Sequence, residues 1–154
     1  MSLDPHARLT ELGLELPGVS PPGGVYTPAV RTGNLIYVSG QVPMVDGKPV
    51  ASGKVGADVT VAQAKDLSQR CALATLAAID SVAGLSSVRR VVKVVGFVAS
   101  AHGFTDQPAV VNGASELFVS VFGDAGRHAR SSVGVNELPL GSPVEIEVIV
   151  EVAD

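Results

Sequence analysis

"HARSSVGVNELPLGSPVEIEVIVEV", residues 128–152, carries two extended segments, and the alternation within each one decides which side of a sheet its residues face. Val144, Ile146, Val148, Val150 and Val152 share one face, and Glu145, Glu147, Ile149 and Glu151 share the other. An unbroken β-branched row predicts a strand laid on a core. Three carboxylates on the opposite row predict a face turned to solvent or to a cleft. In the segment before it, Arg130, Ser132, Gly134 and Asn136 fall on one side and Ser131, Val133 and Val135 on the other. Arg130 therefore belongs to the polar side of its strand. The residues alone leave two roles open for it: a ligand-binding guanidinium, or an arginine lying along a strand end and pairing with a neighbouring glutamate.

Upstream of this pair the chain supplies the rest of a layered fold. Asp4-Pro5 reads as a helix cap followed by proline at the first helical position, with Gly13 as the stop and with Leu9 and Leu12 facing inward. The connector Leu16–Gly24 is too rich in proline and glycine to be helical. Two extended runs meet at Gly33-Asn34, a hairpin signal, and Asp46-Gly47 marks a second turn. The segment "VASGKVG" after it predicts an edge strand. From Val61 to Gly84 the apolar spacing is helical, through Ala64, Leu67, Cys71, Leu73, Ala74, Ala77 and Ala78. "SVRRVVKVVGFVAS" is a β-branched strand, and "DQPAVVNGASELFVSVFG" a second helix with Leu117, Val121 and Phe122 on its apolar stripe. The expected order is β-β-(β)-α-β-α-β-β, an α+β domain with both long helices on one face of a mixed sheet. One domain over residues 1–154 is expected, with 1–20 as a helix-and-connector extension.

Composition narrows the chemistry. Of 154 residues 46% are hydrophobic and only 17% charged, with no tryptophan, so the core is aliphatic and the surface sparsely charged, as in chains that hide surface in an oligomer. A net charge of −4 argues against a nucleic-acid binder. The lone Cys71 permits no internal disulfide and sits in a helical apolar run, as a small core residue would. No apolar stretch approaches the ~18 residues of a membrane span, and the N-terminus has no secretory pattern, so a soluble cytoplasmic protein is expected. The histidines His6, His102 and His128 lack ligand spacing, so no metal site is expected and each is assigned to the solvated surface. No phosphate loop, dinucleotide fingerprint or nucleophile elbow occurs. Ser131-Ser132 beside His128 lacks the rest of a hydrolytic triad.

Four stretches together are identifiable: "NLIYVSGQVP", "AGLSSVRRVVKVVGFV", "AVVNGASELF" and "ARSSVGVNELPLGSPVEIEV". In order and spacing, over Tyr26 to Val152, they resemble the Rid family (reactive intermediate deaminase, also YjgF-like or L-PSP endoribonuclease-like), in its longer branch. The resemblance implies a chorismate mutase-like fold: a six-stranded mixed sheet with two helices on one face, here with an added N-terminal helix. It also implies a homotrimer with clefts between subunits. The implied activity is cofactor-free hydrolysis of reactive enamine and imine acids such as 2-aminoacrylate to 2-keto acids and ammonia. By motif, Arg130 takes the place of the family's carboxylate-binding arginine, whose planar fork can make two parallel charge-assisted hydrogen bonds. Glu145 takes the place of the glutamate near the reacting water. Tyr26, Ser39, Gly40 and Asn112 fall on cleft-lining positions. Ser132 stands where the family usually has cysteine, which leaves 2-aminoacrylate itself open as the substrate. The alternative function is a non-catalytic trimer that binds a metabolite such as a keto acid in the same cleft. Ribonuclease action fits poorly, since neither a basic stripe nor interleaved aromatics are present.

Overall fold

The valine row of residues 144–152 becomes the central strand of a sheet in the computed structural model of the chain, which describes residues 4–154. The first three residues of the expected 1–20 extension lie outside the described residues. The elements in chain order are α1 (Pro5–Glu11), β1 (Ala29–Thr32), β2 (Leu35–Gln41), β3 (Met44–Val45), β4 (Lys48–Pro49), α2 (Val61–Ala83), β5 (Val88–Ala99), α3 (Gln107–Phe122), β6 (Ala129–Val135) and β7 (Val144–Val152). Strands β1-β2-β7-β5-β6 form one mixed sheet. Only β5 and β6 run parallel, because α3 carries the chain back between them; the other pairs are antiparallel. The strands β3 and β4 make a separate two-stranded hairpin around Asp46-Gly47.

Both long helices lie on one face of the sheet. Residues Val144, Ile146, Val148, Val150 and Val152 of β7 are buried beneath them with Ile36, Val38, Val91, Val94 and Val98. Each such side chain contributes about 1.5–3 kcal/mol of burial, an upper bound because the unfolded chain is itself partly collapsed. Thr60 and Gln63 form a reciprocal cap at the start of α2, each side chain bonding the other's backbone N–H (3.1 and 2.9 Å). The helix stops at Gly84, whose φ is +76°. Among the described residues no helix is long and apolar enough to cross a membrane.

Two details differ from the sequence reading. "VASGKVG" is not a strand. Gly53 and Gly56 take positive φ (117° and 94°) and curl the segment, so Val55 alone bridges to the end of β5. The sixth strand of the expected sheet is thereby reduced to one residue, whose N–H donates to the Ala99 carbonyl (2.8 Å) and whose carbonyl accepts from Ala101 (2.9 Å). Leu12 is 37% exposed instead of inward-facing, because α1 ends there; Leu9 is buried, and Leu14 and Leu16 pack on the core instead.

Among the described residues none forms a layer over the other face of the sheet. Val30, Tyr37 and Val133 stand exposed there beside Lys93, Val95, Glu147 and Ile149. A groove of about 250 Å³ runs between Val30, Tyr37, Lys93, Glu147 and Ile149 on this face.

Candidate functional site

Arg130 is the second residue of β6, and the parity of that strand turns it toward α3. The helix comes close because two glycines let it. A Cβ on Gly113 would collide with the Lys65 carbonyl of α2, and one on Gly96 would collide with Val111. Asn112 and Ser115, one turn apart on α3, are thereby held over the start of β6. One terminal nitrogen of Arg130, Nη1, donates to Asn112 Oδ1 (2.8 Å) and to Ser115 Oγ (3.1 Å). The other, Nη2, lies 3.5 Å from the Pro108 carbonyl, at the limit of a hydrogen bond. No carboxylate among the described residues pairs with this half-buried guanidinium. Its Nε–Nη2 edge is left as a planar pair of donors.

Ser132 lies on the same face, and its buried hydroxyl has no hydrogen-bond partner among the described residues. A buried polar atom without a partner is costly, by about 1–3 kcal/mol, unless a ligand, a water or another chain meets it. Asn112, Arg130 and Ser132 thus form one cluster at the β6 edge.

His128 and Ser115 belong to this cluster too, and motif reasoning passed over both. His128 is half-buried, not on the solvated surface. Its ring meets Phe118 edge-on (centroids 5.9 Å apart, 89° between planes), with Nδ1 2.6 Å from the Gly126 carbonyl and Nε2 2.8 Å from Ser115 Oγ. Burial holds its pKa below the usual histidine value, helped by the nearby Arg130 charge. The signal was present in the spacing: His128 is two residues before Arg130, and Ser115 three after Asn112.

The remaining candidates gather elsewhere. Glu145 points to the open face of β7 and lies across Gly40, where a Cβ would collide with its carboxylate. A side chain at position 40 would push the Glu145 carboxylate aside, at a break in the β2–β7 register between Val38 and Gln41. Burial raises the pKa of Glu145 above the usual glutamate value, and the neighbouring Glu147 adds to the rise. The hydroxyl of Ser39 donates to Thr27 O (2.6 Å) and its N–H to Pro28 O (2.8 Å), so this residue fastens the loop before β1. Tyr26 stands exposed in that loop, with its hydroxyl accepting from the Gly23 N–H (3.2 Å).

The two groups do not meet within one chain. Strand β6, which carries Arg130, lies two spacings or roughly 10 Å across the sheet from β7 with Glu145, and three from β2 with Ser39 and Gly40. Arg130 and Glu145 also face opposite sides of it, since Arg130 is level with Val94 and Val148 on the helix face, and Glu145 with Phe97 on the open one. Cys71 is fully buried with its thiol against the Val144 carbonyl (3.8 Å), and burial pushes its pKa well up, so it is a core residue. Among the described residues no three His, Cys, Asp or Glu side chains are grouped to hold a metal ion.

An α+β fold of this topology, with an unpaired arginine at the start of β6, defines the class. Residues 6–152 match the family described as "YjgF/chorismate mutase-like, putative endoribonuclease", and the chain belongs to that family. It is 42% identical over 147 residues to Protein TCP17 of Trypanosoma cruzi, covering 94% of this chain and 92% of that one. It is 39% identical over 126 residues to the 2-iminobutanoate/2-iminopropanoate deaminase of Escherichia coli, covering 82% and 86%. Among solved structures, the protein Atu1372 of unknown function from Agrobacterium tumefaciens superposes with a TM-score of 0.89 at 46% identity, covering 98% of this chain and 93% of that one.

Proposed function

We propose that the protein is a hydrolytic deaminase of small enamine or imine acids, releasing 2-keto acids and ammonia. The observation that carries this reading is the unpaired, half-buried guanidinium of Arg130, anchored through Nη1 and open along Nε and Nη2. That edge matches a carboxylate in width and planarity. The name of the Escherichia coli relative supports the choice of substrate class.

In the reaction an enamine first tautomerises to the imine. Arg130 holds the substrate carboxylate, and water adds to the C=N carbon as Glu145 accepts its proton. With the imine nitrogen protonated this gives a neutral carbinolamine, which collapses as Glu145 passes its proton to nitrogen, the hydroxyl gives its own proton back to Glu145, and the C–N bond breaks to release ammonia and a keto acid. A carboxylate with a raised pKa suits both transfers. Such imines hydrolyse unaided, so positioning supplies much of the acceleration. Asn112 anchors the clamp, Ser132 offers its free hydroxyl, and Tyr26 and the Ser39-Gly40 bulge close the other wall.

Because the two groups of residues lie apart in one chain, the reading includes a homotrimer in which the Arg130 cluster of one copy faces the Glu145 cluster of the next. The uncovered, partly apolar sheet face supports the same assembly. Light scattering is expected to give about three times 15.6 kDa; a monomer at micromolar concentration would remove the site as drawn. The deciding experiment generates imino acids in situ with an amino-acid oxidase and follows ammonia release. Acceleration by the wild type and its loss in Arg130→Ala are expected. Keto-acid binding without any acceleration would move the protein to metabolite binding instead.

A further inference from the structure

We infer that His128 is a positioning residue for the carboxylate clamp, fixing the plane of the Arg130 guanidinium through the hydroxyl of Ser115. The inference rests on the clamp reading of Arg130.

The direction of each hydrogen bond follows from what its atoms can do. The Gly126 carbonyl can only accept, so His128 Nδ1, 2.6 Å away, carries a proton. Burial keeps the imidazole neutral near pH 7, so Nε2 has a lone pair and no proton. Ser115 Oγ, 2.8 Å from Nε2, must then give its single proton to His128. That leaves the hydroxyl lone pairs to accept from Arg130 Nη1 at 3.1 Å, while the other proton of Nη1 goes to Asn112 Oδ1 at 2.8 Å. Every donor and acceptor from Gly126 to Arg130 therefore has one assignment.

Removing the His128 acceptor frees the Ser115 hydroxyl to turn toward a carbonyl of its own helix, as helical serines do. The guanidinium then keeps Asn112 and only the marginal Pro108 contact, and gains freedom to tilt. A two-donor fork tolerates roughly 10–20° of misorientation before its second bond is lost, so this freedom matters for binding. The edge-on contact with Phe118 fixes the imidazole, so the anchor extends into the core beneath α3.

The role separates from mere packing by kinetics and by tautomer. Ammonia release from imino acids is measured for Ser115→Ala, His128→Leu, their double variant and His128→Gln, all in the assembled protein. Each single change should raise KM about threefold to tenfold with kcat within about twofold, because the clamp holds substrate and transition state alike. The double variant should be no worse than the worse single one, since both break the same chain. His128→Gln, whose amide oxygen can reach Ser115 as an acceptor, should recover at least half of the loss. Nitrogen-15 NMR at pH 7.5 should find the His128 ring protonated at Nδ1 and bare at Nε2. The inference is overturned if KM is unchanged in folded His128→Leu or in Ser115→Ala, if the two effects multiply, or if the proton resides on Nε2. Should His128→Leu fail to fold, Ser115→Ala and the tautomer still decide. Arg130→Ala with full activity would refute the clamp itself; Arg130→Ala inactive beside an unaffected Ser115→Ala would refute only the positioning role.

Discussion

Replacing Arg130 by lysine keeps the charge and removes the fork, which makes it the sharpest test of the clamp. Of the five guanidinium protons, two on Nη1 are committed to Asn112 and Ser115, and one on Nη2 points at Pro108 from 3.5 Å. The proton on Nε and the second on Nη2 remain for a ligand. A lysine ammonium cannot serve both ends. Seated against Asn112 it withdraws from the ligand; reaching outward it leaves the Asn112 oxygen unpaired beside the helix. Either way about one charge-assisted hydrogen bond is lost, worth about 1.5–3 kcal/mol. At 1.36 kcal/mol per decade this predicts a fall of roughly tenfold to a hundredfold in kcat/KM. Arg130→Ala, which leaves the carboxylate with no partner, should lose about 2–5 kcal/mol, or roughly thirtyfold and upward. The assay is ammonia release from imino acids generated in situ, with light scattering and thermal unfolding to confirm that assembly and fold persist. Arg127 is the control: it is largely exposed and pairs with Asp124 in solvent, so Arg127→Ala should be nearly silent. Near-full activity in Arg130→Lys would refute the fork. Equal damage at Arg127 and Arg130 would replace it with a diffuse positive patch.

Glu145→Gln should abolish most turnover yet raise Tm at pH 7. A carboxyl whose folded pKa is raised stabilises the fold below its unfolded value, near 4.3, and that contribution is lost as pH climbs through the folded pKa; glutamine escapes the loss. The two melting curves should converge below about pH 4, and an unchanged Tm at pH 7 would show that Glu145 is not strained by its site. Gly113→Ala places a methyl group against the Lys65 carbonyl, so denaturant titration should show about 1–3 kcal/mol of destabilisation. Its KM should rise as Asn112 shifts; unchanged stability would mean that the helices give way freely. Arg130→Ala and Glu145→Gln, each inactive alone, should regain activity when unfolded and refolded together, with about a quarter of the sites drawing both native residues in a random assortment. No recovery would place both residues in one subunit's site.

The buried row of β7 and the helical run of α2 were legible because each repeats a period over many residues, and burial follows the period. The curl at Gly53–Gly56 was not, since two positive φ values override a run that otherwise looks extended. At the site, parity placed Arg130 on the polar side of its strand, but it does not say that this side faces a helix. That depends on β5 and β6 being parallel and joined by α3, a long-range property. His128 was misjudged for a related reason. Its neighbours Ser115 and Phe118 are 13 and 10 positions away on another element, and no local pattern reports their approach. The close fit of Glu145 over Gly40 likewise joins residues more than a hundred positions apart.

In the proposed trimer, a site shared between β6 of one copy and the β2–β7 region of the next ties occupancy to association. A ligand gripped by Arg130 of one copy and reached by Glu145 of another acts as mortar between them. By mass action it favours the assembled form, and dilution that separates the copies weakens its hold. In that assembly the cleft residues that tune the choice of substrate also lie along a seam. A change that reshapes the cleft for a bulkier acid must therefore preserve the join as well, and selection on either property constrains the other.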